Sequence, residues 1–160
     1  MVRAITLLAS FVALLSLPAA AQQPDKGIVG TWKMTSATLI ENGKTSDYFG
    51  PSPLGQVIFT PSGHFSNLLI RSDVPKFAAN SRVKGSADEN AAMVHGGIGY
   101  YGTYKLTGDT LTLHIVGSTY PNWIGQDQTR MVHVSGDQIV WENASASAGG
   151  SSKQLYHREE

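Results

Sequence analysis

Short segments of this chain alternate between apolar and polar residues with a period of two. The clearest example is residues 110–116, which read Thr-Leu-Thr-Leu-His-Ile-Val. A period of two places successive side chains on opposite faces of a β-strand. The pattern therefore predicts strands with one buried face and one polar face, which is typical of antiparallel sheets.

Nine segments of this kind follow one another, and most are joined by connections of hairpin length. They lie at residues 31–40, 45–49, 56–60, 64–71, 99–106, 110–116, 128–134, 139–143 and 153–158. The chain has 17 glycines, and they concentrate at turns such as residues 42–43 and 108–109. The spacing predicts an all-β fold, an antiparallel sandwich or barrel of eight to nine strands. A barrel of about eight strands is filled by side chains or holds one small ligand.

Residues 72–97 break the strand pattern, because β-branched residues become rare there. Ser86 is a good N-cap, Asp88 and Glu89 suit the first turn of a helix, and two glycines at residues 96–97 end it. We therefore expect one short helix between strands. An insertion of this length in a small barrel is expected to cover one of its ends.

The N-terminus has the pattern of a secretory signal peptide. Arg3 precedes an uncharged apolar run at residues 4–17, and small residues follow it up to Ala21. We expect a signal peptide at residues 1–21, a mobile leader at 22–28 and one domain at 29–160. The protein would then be periplasmic or secreted, with no membrane span after cleavage. The alternative is an uncleaved membrane anchor.

Composition and motifs exclude several classes of function. The chain has 12 basic and 12 acidic residues and no basic stripe, so no nucleic-acid partner is expected. It has no cysteine, which excludes disulfides and thiol chemistry. The five histidines lack metal-binding spacing, and there is no nucleophile elbow or phosphate loop. We therefore predict no catalytic residue, no metal site and no cofactor. The sequence carries no signal for any particular oligomeric state.

Three residues are candidates for contacts with a ligand inside the sheet. Tyr100 and Tyr104 share one face of a predicted strand, where they would either line a cavity or act as core aromatics. Arg130 lies on the same face of its predicted strand as Val132 and Val134. A buried arginine needs a carboxylate or several other acceptors. It would either bind an acidic group of a ligand or pair with an internal acid such as Glu142.

Two further candidates lie after the tyrosine-rich strand at residues 99–106. His114 would be a general base, a ligand contact or a metal ligand, or else a surface or hydrogen-bonded histidine. If Leu111, Leu113 and Ile115 point inward, His114 cannot also point inward. Trp123 follows a proline on a loop and would be a stacking surface at the mouth of a barrel or a plug that also walls a cavity.

The chain resembles the bacterial and fungal lipocalin-like domain family from about residue 27 to residue 158. Residues 30–32, Gly-Thr-Trp, resemble the Gly-x-Trp signature of lipocalins. The other similar motifs are residues 50–55 (Gly-Pro-Ser-Pro-Leu-Gly), residues 100–104 (Tyr-Tyr-Gly-Thr-Tyr), and His114 followed by residues 121–125 (Pro-Asn-Trp-Ile-Gly) and Arg130. The resemblance implies an up-and-down barrel with a central cavity. It also implies a structural pair in which Arg158 of the last strand covers Trp32.

The leading hypothesis is an exported lipocalin-like protein that binds a small apolar or aromatic molecule in the barrel cavity. Its predicted ligand contacts are Tyr100, Tyr104, His114, Trp123 and Arg130. One alternative is a small barrel enzyme of the isomerase, cyclase or hydratase type that uses cavity His, Tyr and Arg side chains. Another is an interaction module without a small ligand, which a cavity filled by its own aromatic residues would favour.

Overall fold

The computed structural model describes residues 27–159, and most of its strands follow the alternation of the sequence. The strands are β1 (Gly30–Glu41), β2 (Lys44–Asp47), β3 (Leu54–Phe59), β4 (His64–Ile70), β5 (Gly97–Thr107), β6 (Thr110–Ser118), β7 (Asp127–Ser135), β8 (Gln138–Asn143) and β9 (Ser151–Arg158). A helix, α1 (Ala87–Gly96), lies between β4 and β5, and a 3₁₀ turn spans Pro121–Trp123. The predicted signal peptide lies outside the described residues.

The strands form one antiparallel sheet that closes on itself. The order along the sheet is β2-β1-β3-β4-β5-β6-β7-β8-β9, and β9 also pairs with β1. Eight strands therefore make the barrel, and β2 extends the sheet beside the second half of β1. The prediction of an all-β barrel of eight to nine strands with one short helix is confirmed. Closure satisfies the backbone groups of the barrel strands without leaving open edges.

The interior of the barrel is packed with the apolar face of each strand. Leu111, Leu113 and Ile115 of β6 are each 0 % exposed, as are Trp32 and Tyr156 on the closing strands. Because these inward faces interdigitate, the core fills most of the barrel, at the density usual for protein interiors.

Strand β1 departs from strict alternation. The register between β1 and β9 shifts between Met34 and Ser36, which is a β-bulge. The extra residue turns Ala37 inward and leaves Ser36 exposed. Simple alternation instead places Ser36 on the face of Met34. A bulge inserts one unpaired residue, so every side chain after it changes face.

The start of β1 and the end of β9 close one end of the barrel. The Cζ atom of Arg158 lies 3.9 Å from the centroid of the Trp32 ring, as the resemblance implies. Its Nη1 and Nη2 atoms donate to the carbonyl oxygens of Val29 and Gly27, each at 2.7 Å. Trp32 Nε1 donates to the carbonyl of Ile28, which is itself 0 % exposed. Residues 27 and 28, predicted as the end of a mobile leader, thus belong to this closed end.

The opposite end, which we call the open end, carries the β2–β3, β4–β5, β6–β7 and β8–β9 connections. Helix α1 lies in the β4–β5 connection, and its N-terminus has the predicted cap. Ser86 Oγ accepts from the backbone N–H of Glu89, and the Glu89 carboxylate accepts from the N–H of Ser86. This reciprocal pair is a capping box.

No helix within residues 27–159 has the length and hydropathy needed to cross a membrane.

The Arg158 contacts should contribute measurably to stability. Arg158→Ala removes the cation–π contact and two hydrogen bonds, and we expect it to lower the free energy of unfolding by about 2 kcal/mol in urea denaturation. Arg82→Ala is the matched control, because Arg82 is exposed on the β4–β5 connection. Equal midpoints for the two variants would contradict this account of the closed end.

A second stability prediction concerns Gly102, in the middle of the tyrosine-rich strand. A Cβ atom at Gly102 would lie 1.9 Å from the carbonyl oxygen of His114 on β6. Because backbone must then move, Gly102→Ala should cost about 3 kcal/mol. Gly108→Ala, at a turn with φ of 57° and open space around it, should cost only about 1 kcal/mol in the same urea titration. The reverse order would show that β5 and β6 are less closely paired than described.

Candidate ligand-binding site

A cleft of about 470 Å³ lies at the open end of the barrel. It is bounded by α1, by the residues that follow β2 and by the β8–β9 connection. Most of its wall is apolar, and its lining includes Tyr48, Phe49, Ile70, Met93, Ile98 and Tyr120. We call this space the rim cleft.

Helix α1 gives the rim cleft one of its walls. Met93 and Val94 line the cleft and remain 38 % and 75 % exposed, although both are apolar. Leu68 projects from the outer face of β4 into the same cleft and is 50 % exposed. Adjacent apolar side chains that stay exposed around a concavity are typical of a binding site.

A second, much smaller space lies inside the barrel below the rim cleft. Its volume is about 20 Å³, and it is lined by polar side chains, including Arg130, Asn143, Ser152 and Gln154. These four residues are between 4 % and 9 % exposed. Phe49 lines both spaces and so forms part of the floor between them. We call the lower space the polar chamber.

Arg130 is the charged group of the polar chamber. Its Nη1 donates to the carbonyl of Thr129 at 2.9 Å, and its Nη2 donates to Oε1 of Gln128. Burial lowers the pKa of the guanidinium. Tyr100 and Tyr156 act in the opposite direction and raise this pKa in part. Within residues 27–159 it has no carboxylate partner. The alternative pairing with Glu142 does not occur, because the Glu142 carboxylate lies outside the barrel, 3.1 Å from Lys153 Nζ.

Two tyrosine hydroxyls extend the polar network. Tyr100 OH accepts from Asn67 Nδ2 at 2.8 Å, and Tyr156 OH donates to Gln154 Oε1 at 2.7 Å. Burial raises the pKa of both hydroxyls, and for Tyr156 the shift is large, with Tyr100 adding to it. Two buried oxygens, Ser152 Oγ and Asn67 Oδ1, have no hydrogen-bond partner among the described residues. The network therefore holds unused hydrogen-bonding capacity beside a cation.

Three of the five predicted ligand contacts meet at the polar chamber. Tyr100, Trp123 and Arg130 all line it. The Trp123 ring packs edge-to-face on Tyr100, with centroids 5.1 Å apart, and on Tyr120, with centroids 5.7 Å apart. Trp123 therefore walls the chamber at the open end, which matches its interpretation as a plug that also forms a wall.

Tyr104 shares the inward face of Tyr100 but lies toward the closed end. Its hydroxyl donates to the carbonyl of Thr60 at 3.0 Å, and its ring meets Phe59 edge-to-face at 4.9 Å. It is 7 % exposed and lines neither the rim cleft nor the polar chamber. Its position is that of a core aromatic, which is the alternative that the sequence left open.

His114 lies on the outer face of the barrel, so it cannot orient a ligand in the interior as expected. Its Nδ1 is 2.7 Å from Asp127 Oδ1, and its side chain is 51 % exposed. The reason is the alternation of β6: Leu113 and Ile115 occupy the inward face, and the residue between them must point outward.

Several residues of this region were missed from the sequence. Ser152 and Gln154 lie on β9, where polar residues occupy both faces and alternation gives no signal. Met93 and Val94 had a signal, because they are an apolar pair within a polar helix. No group of three His, Cys, Asp or Glu residues able to hold a metal ion is found in residues 27–159.

The raised pKa of Tyr156 predicts a loss of stability in alkali. The unfolded tyrosine loses its proton near pH 10, whereas the buried one keeps it, so the folded state binds more protons and the free energy of unfolding falls as pH rises. Tyr156→Phe should therefore flatten the decline between about pH 10 and pH 11 in urea titrations. It should also lower stability at neutral pH by about 1 kcal/mol, through the lost bond to Gln154. Parallel pH curves for the two proteins would contradict the prediction.

The chain is similar to one described protein family and to several solved structures. A family model described as a lipocalin-like domain matches residues 29–157. A lipocalin-like protein from Bacteroides uniformis is a similar solved structure, with 16 % identity over 82 % of this chain and 98 % of the other and a TM-score of 0.46. An uncharacterized protein from Bacteroides eggerthii has the same identity and coverage, with a TM-score of 0.42. No curated protein matches. Because the family model spans most of its length, the chain belongs to the lipocalin-like domain family.

Proposed function

We propose that this protein binds a small, largely apolar or aromatic molecule at the open end of its barrel. The observation that carries the proposal is the rim cleft, whose volume of about 470 Å³ falls in the range of ligand pockets, about 300–1,000 Å³. Its exposed apolar walls would contribute about 25 cal/mol per Å² of apolar surface buried, less the entropic cost of association. The lipocalin-like fold supports a role in binding small molecules.

The proposed position of the ligand differs from the barrel cavity expected from the sequence. The interior is occupied by the protein's own side chains, and the polar chamber of about 20 Å³ has room for about one water molecule. A filled interior is what an interaction module without a ligand would show. The rim cleft favours the small-molecule proposal, because it is an apolar concavity that lies next to a buried polar group.

Binding is favoured over the enzyme alternative by the placement of the titratable groups. His114 was the best candidate for a general base, and it lies on the outer face. Arg130 and Tyr100 line the polar chamber and Tyr156 is close to both, and burial raises the pKa of the Tyr100 and Tyr156 hydroxyls, so these two stay protonated at neutral pH. A protonated phenol and a guanidinium bind and orient polar groups, but neither is a base near pH 7.

Export is part of the proposal. It rests on the signal-peptide pattern of residues 1–21. N-terminal sequencing of protein recovered from the periplasm or medium of an expressing Gram-negative culture should read from Gln22. Recovery only of intact chain from the membrane fraction would favour the anchor alternative.

The rim cleft can be tested with N-phenyl-1-naphthylamine, an uncharged aromatic dye whose fluorescence rises in apolar surroundings. Met93→Asp places a carboxylate in the cleft wall, so we expect the dye to bind about tenfold more weakly in a fluorescence titration. Val83→Asp is the matched control, because Val83 is 79 % exposed and does not line the cleft.

The control variant should keep the affinity of the unmodified protein. If the dye does not bind at all, or if both variants bind it equally well, the rim cleft is not the binding site. Circular dichroism of each variant separates loss of binding from loss of fold. Both substitutions are on exposed residues, so both variants are expected to fold.

A further inference from the structure

We propose that the ligand of this protein is an amphipathic carboxylate, whose apolar body lies in the rim cleft and whose acid group enters the polar chamber to pair with Arg130. The inference rests on the proposed function and adds the chemical class of the ligand. It follows from one buried cation, one unpartnered hydroxyl and the position of both below the cleft.

Arg130 is a buried cation that the described chain does not neutralise. It is 6 % exposed, and its guanidinium donates to one backbone carbonyl oxygen and one side-chain amide oxygen. The acidic residues on its own and the next strand are engaged outside the barrel, Asp127 with His114 and Glu142 with Lys153. A charge buried without a counterion lowers the stability of the folded state. An anionic ligand group would offset that cost on binding.

Besides a cation, an anion site needs hydrogen-bond donors, and Ser152 supplies one. Its Oγ is buried, and within residues 27–159 it has no hydrogen-bond partner. Ser152 and Arg130 line the same chamber although they come from different strands, β9 and β7. A serine hydroxyl donates one hydrogen bond, and a guanidinium donates two parallel ones to a carboxylate. Together they match a planar group with two acceptor oxygens.

The chamber lies where a ligand in the rim cleft would place its head. Strand β7 runs from the open end to the closed end, and Arg130 bonds to residues 128 and 129, which precede it toward the open end. Phe49 and Ile98 line both spaces. Tyr48 and Ser147 also line both, so the cleft and the chamber are adjacent and share side chains.

The size of the chamber selects among anions. At about 20 Å³ it admits a carboxylate only if a floor side chain such as Phe49 moves, and a phosphate or sulfate would need more room. A single arginine also suits one negative charge better than two. A monocarboxylate on an apolar body therefore fits this site better than a phosphorylated or sulfated ligand.

The test compares decanoate with decanamide, which has the same chain length and no charge, as competitors of N-phenyl-1-naphthylamine at pH 8. In the unmodified protein we expect decanoate to displace the dye at about tenfold lower concentration than decanamide. In Arg130→Met the two competitors should become equal, through weaker binding of decanoate, with decanamide unchanged. Arg82→Met, at an exposed arginine, should keep the tenfold preference.

Other outcomes overturn the inference. If decanamide displaces the dye and decanoate is no better, the carboxylate class is wrong while small-molecule binding stands. If neither displaces it and the dye itself does not bind, both proposals fail. A third outcome has two parts: sodium chloride abolishes the preference for decanoate, and sodium chloride without any competitor raises the melting temperature of the unmodified protein but not of Arg130→Met. The chamber would then take an inorganic anion instead.

Two measurements keep the inference decidable if Arg130→Met does not fold. The ratio of the two competitors is measured on the unmodified protein and needs no variant. Arg130→Lys retains a positive charge but loses the planar fork, so it should keep only part of the preference. A full tenfold preference in Arg130→Lys would show that the fork is not engaged.

Discussion

Closure of β9 on β1 is the constraint on which the rest of the structure depends. Each barrel strand presents backbone donors and acceptors on both sides, and only closure supplies partners for all of them. The two closing strands also bring Arg158 over Trp32 and bury Ile28 beneath the closed end. The same pairing carries Ser152 into the interior at the opposite end. One register therefore sets both the seal of the barrel and part of its candidate site.

The interior is divided along the barrel axis into an apolar part and a polar part. Toward the closed end, Trp32, Phe59 and Leu111 belong to the apolar core, and Arg158 lies over the ring of Trp32. Toward the open end, Arg130 and the polar side chains of β8 and β9 surround a small chamber. A filled apolar core stabilises the fold, whereas a buried arginine without a carboxylate works against it. Residues that cost stability in the folded state are expected where a protein binds something.

Much of the fold could be predicted because its signals are local. Alternation and turn glycines are read within about ten residues, and they located nearly every strand. Ser86 and Glu89 likewise located the helix through a capping box that involves only neighbouring residues. The bulge that turns Ala37 inward was missed, because a bulge depends on the register with β9 and leaves no mark on β1 itself.

The strands, the helix and the family resemblance could be read from the sequence alone, and the resemblance in turn implied the pairing of Trp32 with Arg158. The sequence also placed Tyr100 and Arg130 among the candidates, since each is a polar residue on an apolar face. Only the tertiary structure decided that His114 lies outside and that Ser152 joins Arg130 in one chamber. A period of two defines two faces but does not say which one is buried, and residues far apart in sequence meet only through strand register and closure.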